Sequence, residues 1–139
     1  MSAEDLLKCR EFANARQYHA LNLAYMGDAV YELLVRSRLL AEGNRTVNRL
    51  NRLAAAQVRA SAQSANYYRI YDLLSEDELA VLKRGRNANP ATRAKNATVA
   101  DYRNATGLEA LFGYLYLNGE ILRLIELFDK CYEVDENGK

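Results

Sequence analysis

The sequence predicts an all-α fold. Apolar residues recur at three- and four-residue spacing along the chain, and no run alternates polar and apolar residues over the length of a strand. One proline and seven glycines in 139 residues leave long helices with few interruptions. A chain of this length can bury its own core, so we predict a single domain over residues 1–139.

Caps and apolar spacing predict the helices of the first half. Ser2, with an acid three residues later, has capping-box spacing and begins a short helix. A long helix is predicted from about His19 to Leu40, and Gly43 ends it. Thr46 caps a helix that runs to about Tyr71. The predicted inward residues are Leu23, Met26, Val30, Leu33 and Leu34 in the first long helix, and Val47, Leu50, Leu53, Ala54 and Val58 in the second.

The second half contains three helices and one loop by the same criteria. Ser75 and Glu78 have capping-box spacing and begin a short helix. Residues Arg84 to Asn96 are rich in asparagine and contain glycine and proline, so we predict an exposed functional loop there. A nearly apolar helix follows from about Val99 to Leu117, ended by an Asn-Gly pair. The last helix is predicted from Glu120 to about Val134.

Composition predicts a cytoplasmic protein. Cys9 and Cys131 are the only cysteines, which is neither a disulfide framework nor a zinc-site spacing, so a reducing compartment is expected. Charges interrupt every apolar stretch, and the first residues lack a signal-peptide core. We therefore expect no membrane partner.

The charge is unevenly distributed although the net charge is only +1. Residues 43–71 contain five arginines and no acid, and residues 83–103 contain six bases and one acid. From residue 104 onward seven acids face three bases. The first basic segment is explained equally well by solvated helix faces. In the second, the asparagine, glycine and proline content favours a surface that contacts a polyanion.

Two acids lie within the most apolar helices. Glu109 is the single charge between Ala105 and Leu117, and Asp28 lies with Glu32 in the apolar run of residues 21–35. A buried carboxylate needs a cation or donors. Three explanations remain open: a divalent cation, a buried arginine or lysine, or access to solvent at a groove. Oxygen ligands would favour Mg²⁺ or Mn²⁺, and a single histidine argues against a histidine-rich site.

Glycines accompany both acids. Gly27 precedes Asp28, and Gly107 and Gly113 flank Glu109. Because glycine inside a helix costs about 0.5–1 kcal/mol relative to alanine, its use indicates close approach of backbones. This approach is expected at a site, but helix crowding alone explains it equally well.

Two segments resemble the ribonuclease III family. YMGDAVYELLV, residues 25–35, is similar to the family signature, and LEALFGYLYLNGE, residues 108–120, is similar to its second acidic helix. An RGRN element at residues 84–87 lies between them, and the resemblance extends from about residue 19 to the final helix. Without room for an appended double-stranded-RNA-binding domain, the chain resembles the Mini-ribonuclease III branch. Leu21, Ala24 and Thr106 stand where the broader family has further acids.

The resemblance implies a ribonuclease III-type helical endonuclease. Asp28 and Glu109 would be catalytic and would bind Mg²⁺, with Mn²⁺ as a substitute and no organic cofactor. The implied reaction is hydrolysis of double-stranded RNA, leaving a 5′-phosphate, by a homodimer. The implied substrate is the precursor of 23S ribosomal RNA. The residues predicted to bind RNA are Arg84, Arg86, Asn87, Arg93 and Lys95.

Two other functions are compatible with the sequence. The missing acids motivate a catalytically silent protein of the same fold that binds RNA or a ribosomal partner. The basic helix from Thr46 motivates a module that binds protein or DNA. Tyr67, Tyr68 and Tyr71 could stack on bases, but packing in a core or interface is the expected role.

Overall fold

The computed structural model describes residues 14–88 and 98–132, and these ranges form six α-helices preceded by a 3₁₀ turn, Ala15–Gln17. The predicted all-α class is confirmed. The first helix, predicted from Ser2, lies outside the described residues, and the single domain over residues 1–139 stays a prediction. The helices are α1 (Ala20–Ala41), α2 (Val47–Val58), α3 (Ala60–Tyr71), α4 (Glu76–Ala88), α5 (Val99–Leu117) and α6 (Ile121–Lys130).

Helix α1 agrees with its predicted bounds to within one residue. The His19 side chain caps it, since Nδ1 accepts a hydrogen bond from the Leu21 amide at 3.1 Å. Gly43 follows its end with a φ of 131°, a conformation that favours glycine. Leu23 and Val30 are buried as predicted, but Leu33 is 60% exposed, so its inward assignment was wrong.

The helix predicted from Thr46 to Tyr71 is two helices. The Thr46 hydroxyl caps α2 as predicted, accepting from the Arg49 amide at 3.2 Å. Arg59 is extended, with a ψ of 153°, and separates α2 from α3. Since α2 packs on α1 whereas α3 packs on α5, the break follows from tertiary packing. Val47 is 70% exposed, so its inward assignment was also wrong.

Helix α4 begins with the predicted capping box and continues further than predicted. The Ser75 amide donates to Glu78 Oε1 at 2.8 Å, and the Glu78 amide donates to the Ser75 hydroxyl at 3.2 Å. Residues 84–88, predicted to begin a loop, form the last turn of α4 because Gly85 packs against α5. Residues 89–97 lie outside the described part of the chain.

Helix α5 is the centre of the core and has the predicted bounds. The Thr98 hydroxyl caps its start, and Gly119 follows its end with a φ of 75°. Helices α1, α3 and α4 all pack on it. The rings of Tyr31 and Phe112 join α1 to α5 with a centroid separation of 5.4 Å.

Glycines bring the backbones of the central helices into contact. A Cβ on Gly27 would overlap the carbonyl of Glu109, and a Cβ on Gly113 would overlap the carbonyl of Leu23. A Cβ on Gly107 would lie 2.8 Å from the carbonyl oxygen of Leu82. The predicted close approach is therefore present at both α1–α5 and α4–α5. No helix in the described ranges is long and apolar enough to cross a membrane.

Candidate acidic site

Asp28 and Glu109 meet where α1 crosses α5. Gly27 lies against the Glu109 peptide, so the next residue of α1 is placed beside the Glu109 side chain. The two carboxyl groups are within hydrogen-bonding distance of each other. Asp28 is exposed, whereas Glu109 is half-buried. The predicted convergence of the two acids across neighbouring helices is therefore present, with its open side at Asp28.

The pKa of Glu109 is raised to about 8, mainly by burial and further by the hydrogen bond to Asp28 and its negative charge. The Gln63 side chain opposes this effect by donating a hydrogen bond to Glu109. Without a cation, Glu109 is therefore protonated at neutral pH and donates to Asp28.

This pair fits a hard divalent cation. Two carboxylates completed by water and phosphate oxygens are a usual Mg²⁺ environment. A cation would replace this proton and compensate the buried charge of Glu109. Within residues 14–88 and 98–132, no group of three or more acidic, histidine or cysteine side chains is placed to bind a metal. Glu32 is not part of the pair, since it forms a surface ion pair with Arg36 at 3.0 Å.

A row of buried polar side chains lies beside the acids. Gln63 and Ser64 are both 2% exposed on α3. Asn104, on α5, donates through Nδ2 to the Ser64 hydroxyl at 3.0 Å and accepts from Arg86 Nε at 2.9 Å. Sequence reasoning missed this row because glutamine, serine and asparagine are typical of solvated helix faces. The one signal in the sequence was that Gln63 lies at helical spacing from the apolar residues of α3, which places it on the same inward face.

The predicted RNA-binding residues have different environments. The Arg84 guanidinium donates to the carbonyls of Arg16 and Tyr18, each at 2.8 Å, and fastens the turn before α1 to α4. Arg86 is half-buried and oriented by its Asn104 contact, while Asn87 is exposed on the same helix. Arg93 and Lys95 lie outside the described residues.

The family profile and the curated relatives agree on one family. The family profile described as "Ribonuclease III domain" matches residues 21–120. A protein named Mini-ribonuclease 3 from Thermoanaerobacter sp. is 47% identical over 116 residues, covering 84% of this chain and 82% of the relative. One of the same name from Symbiobacterium thermophilum is 44% identical, covering 91% and 98%. The crystal structure of protein FN1578 from Fusobacterium nucleatum is similar, with a TM-score of 0.78, 34% identity, and coverage of 85% and 96%.

Proposed function

Because the chain belongs to the ribonuclease III family, in its Mini-ribonuclease III branch, it is an endoribonuclease, and we propose that Asp28 and Glu109 are its catalytic and metal-binding residues. The observation that carries this proposal is the meeting of the two acids across the α1–α5 crossing. The substrate is double-stranded RNA, and cleavage leaves a 5′-phosphate and a 3′-hydroxyl.

Asp28 and Glu109 would hold Mg²⁺, and Mn²⁺ would substitute. When bound, the ion would lower the pKa of a water ligand and neutralise charge on the phosphate. The chain itself positions the ligands: the α1–α5 crossing fixes the two backbones, and Gln63 orients the Glu109 carboxylate. Asp28, on the exposed side, is the acid nearest to an incoming RNA phosphate.

The RNA-binding surface would include the end of α4 and the residues that follow it. Arg86 and Asn87 offer donors to phosphates and 2′-hydroxyls, and Arg93 and Lys95 would extend this surface. Arg84 adds positive charge while it anchors the turn before α1. Since phosphate contacts would supply most of the affinity, binding should weaken steeply with salt.

A homodimer would place two acidic sites on one duplex and allow both strands to be cut. The outer face of α1 supports this proposal, because Tyr25 is 83% exposed and Leu33 is 60% exposed. Leu40 and Val47 continue the same apolar surface towards α2. A two-fold interface buries one such patch on both copies.

The biological substrate we propose is the 23S ribosomal RNA precursor in the cytoplasm. The family resemblance supports the substrate, and the absence of a disulfide framework among the two cysteines of the sequence supports a reducing compartment. Cys131 is buried, and burial raises the pKa of its thiol to about 12, so it is unreactive in the folded protein.

Asp28→Asn, assayed separately for binding and cleavage, tests the catalytic proposal. We expect duplex binding to be retained and Mg²⁺-dependent cleavage to fall by at least about a hundredfold, because the variant loses a charged ligand but keeps the shape. Asp129→Asn, an exposed acid on α6, is the matched control and should cleave normally. Cleavage by Asp28→Asn at the normal rate, or cleavage that persists in excess EDTA, would contradict the proposal.

The second candidate function is a catalytically silent protein that binds RNA or the ribosome. It is favoured by Leu21, Ala24 and Thr106, which stand where the broader family has acids. Duplex binding without cleavage in Mg²⁺ or Mn²⁺, in the unmodified chain, would favour this candidate.

A further inference from the structure

A cavity of about 570 Å³ opens between α3 and α4. Three tyrosines of α3 form one wall, with Tyr67 in contact with both others: its ring lies 5.3 Å from that of Tyr68 and 5.7 Å from that of Tyr71. Tyr67 is buried and fixes the group, whereas Tyr68 is 65% exposed. The predicted packing role is confirmed for Tyr67, but the ring of Tyr68 is available to a ligand. Exposed aromatic rings are stacking surfaces for nucleobases.

The opposite wall belongs to α4 and is basic. Lys83, Arg86 and Asn87 line it; Lys83 precedes the other two by three and four residues, about one turn of the helix. The buried Asn104 accepts from Arg86 Nε, which holds the guanidinium at the cavity. Within the described ranges Lys83 forms no ion pair, so its charge is available. This wall suits a phosphate group.

Asp72, directly after α3, adds a carboxylate to the lining. A carboxylate only accepts hydrogen bonds. Among the RNA bases, guanine offers two adjacent donors, N1–H and N2–H, to such an acceptor. Asp72 would therefore favour guanine, and it would repel a phosphate placed on its own side of the cavity.

The cavity is lined by the same helix, α3, that carries the Gln63 contact to the acidic pair. Tyr67 follows Gln63 by four residues, about 6 Å of rise along α3, and the Gln63 side chain is hydrogen-bonded to Glu109. Bases inside a duplex are stacked on both faces and cannot enter a side pocket. RNA bases that proteins stack on aromatic rings come from ends, bulges and loops.

We propose that the tyrosine wall of α3 and the basic wall of α4 bind one unpaired guanine nucleotide. The nucleotide is either part of the RNA next to the cleaved duplex or a free guanosine phosphate. The inference rests on the proposed RNA-cleaving function and defines a subsite for it. The three features that carry it are the exposed ring of Tyr68, the held guanidinium of Arg86 and the carboxylate of Asp72.

The proposal is tested by measuring how tightly the full chain binds matched RNA duplexes. Divalent metals are left out so that the duplexes are not cleaved. The duplexes are blunt or carry one unpaired guanosine or adenosine at the 3′ or the 5′ end. We expect the best guanosine-tailed duplex to bind about fivefold to a hundredfold more tightly than the blunt one, the range for one stacked base. Guanosine 5′-monophosphate, followed by NMR, is the arm for the free nucleotide.

Tyr68→Leu removes the aromatic ring but keeps an apolar side chain, and it should abolish the advantage of the tail or the binding of the mononucleotide. Tyr68→Phe should retain both. Asp72→Asn should remove the preference for guanine over adenine, while the control Asp129→Asn should not. If no tailed duplex binds more tightly than the blunt one, but the mononucleotide binds and Tyr68→Leu abolishes that binding, the cavity is supported as a site for a free nucleotide.

Equal affinity for blunt and tailed duplexes, with no binding of the mononucleotide, would overturn the proposal. So would a tail advantage unchanged in Tyr68→Leu. Failure of the proposed catalytic function would be seen in a different experiment, as normal cleavage of blunt duplexes by Asp28→Asn. Blunt duplexes have no unpaired nucleotide to enter the cavity, so the two results are independent.

Discussion

At the scale of single residues, the site depends on a glutamate that is protonated when no cation is bound. The position of Glu109 in an apolar helix was visible in the sequence, and so was the need for a compensating group. The hydrogen bond between Glu109 and Gln63 could not be predicted, because nothing in the order of residues indicates which polar side chains of α3 face the core. The same limit hid the Asn104 contact that holds Arg86.

The shifted pKa of Glu109 predicts how the stability of the metal-free protein depends on pH. The unfolded chain loses this proton near the ordinary value of 4.5, whereas the folded protein keeps it to about 8. The folded state therefore binds more protons between these values, so its stability is highest below about pH 4.5 for this group and declines as pH rises through 8. We expect the melting temperature in EDTA to fall from pH 5 to pH 8, followed by circular dichroism.

Glu109→Gln should flatten this decline, because the amide cannot ionise, whereas Glu126→Gln, at an exposed position of α6, should not. Added Mg²⁺ should raise the melting temperature of the unmodified chain more at pH 8 than at pH 5, since it competes with the proton. An equally steep decline in Glu109→Gln would show that another group is responsible.

At the scale of helices, bounds set by local chemistry were predictable and bounds set by packing were not. The His19 cap, the Thr46 cap and the Ser75–Glu78 capping box involve neighbouring residues, and all are present. The break at Arg59 involves neither glycine nor proline, and it exists because α2 and α3 pack on different partners. The end of α4 was misplaced because its asparagines and glycine resemble a loop, although Gly85 is buried against α5.

The α1–α5 crossing gives a prediction at this scale. In Gly113→Ala the added methyl group would meet the backbone carbonyl of Leu23, which cannot rotate away as a side chain would. We expect a loss of about 3 kcal/mol or more in the free energy of unfolding, measured by urea denaturation. Gly43→Ala is the comparison: nothing lies within 4 Å of its Cβ, so only its φ of 131° is penalised, by about 1–3 kcal/mol. Equal losses in the two variants would contradict a steric origin.

At the scale of the whole molecule, the uncovered apolar residues on α1 and α2 are the feature that a single chain does not explain. Sequence periodicity assigned Leu33 and Val47 to the core because periodicity cannot distinguish an apolar residue that packs inside from one that is exposed on the surface. The family resemblance implies a homodimer, which stays a proposal for this chain, and it does not identify a surface. The exposed fractions of these side chains suggest where that surface lies.

Tyr25→Asp tests this surface, because it places a charge at its most exposed apolar residue. We expect the molar mass measured by light scattering to fall from that of a dimer to that of one chain. Cleavage should then produce nicks in one strand instead of breaks in both. Leu122→Asp, at an equally exposed apolar position on α6, is the control and should remain dimeric. A dimer that survives Tyr25→Asp but dissociates in Leu122→Asp would place the interface on α6.

The burial of α5 has a consequence for how this protein loses activity. A helix enclosed by α1, α3 and α4 can expose its amide protons to exchange only when the whole core opens. Glu109 lies on that helix, so the backbone that carries it keeps its place until the core opens. Heating should therefore divide the sample into fully competent molecules and unfolded ones, and the remaining activity should report directly on the folded fraction.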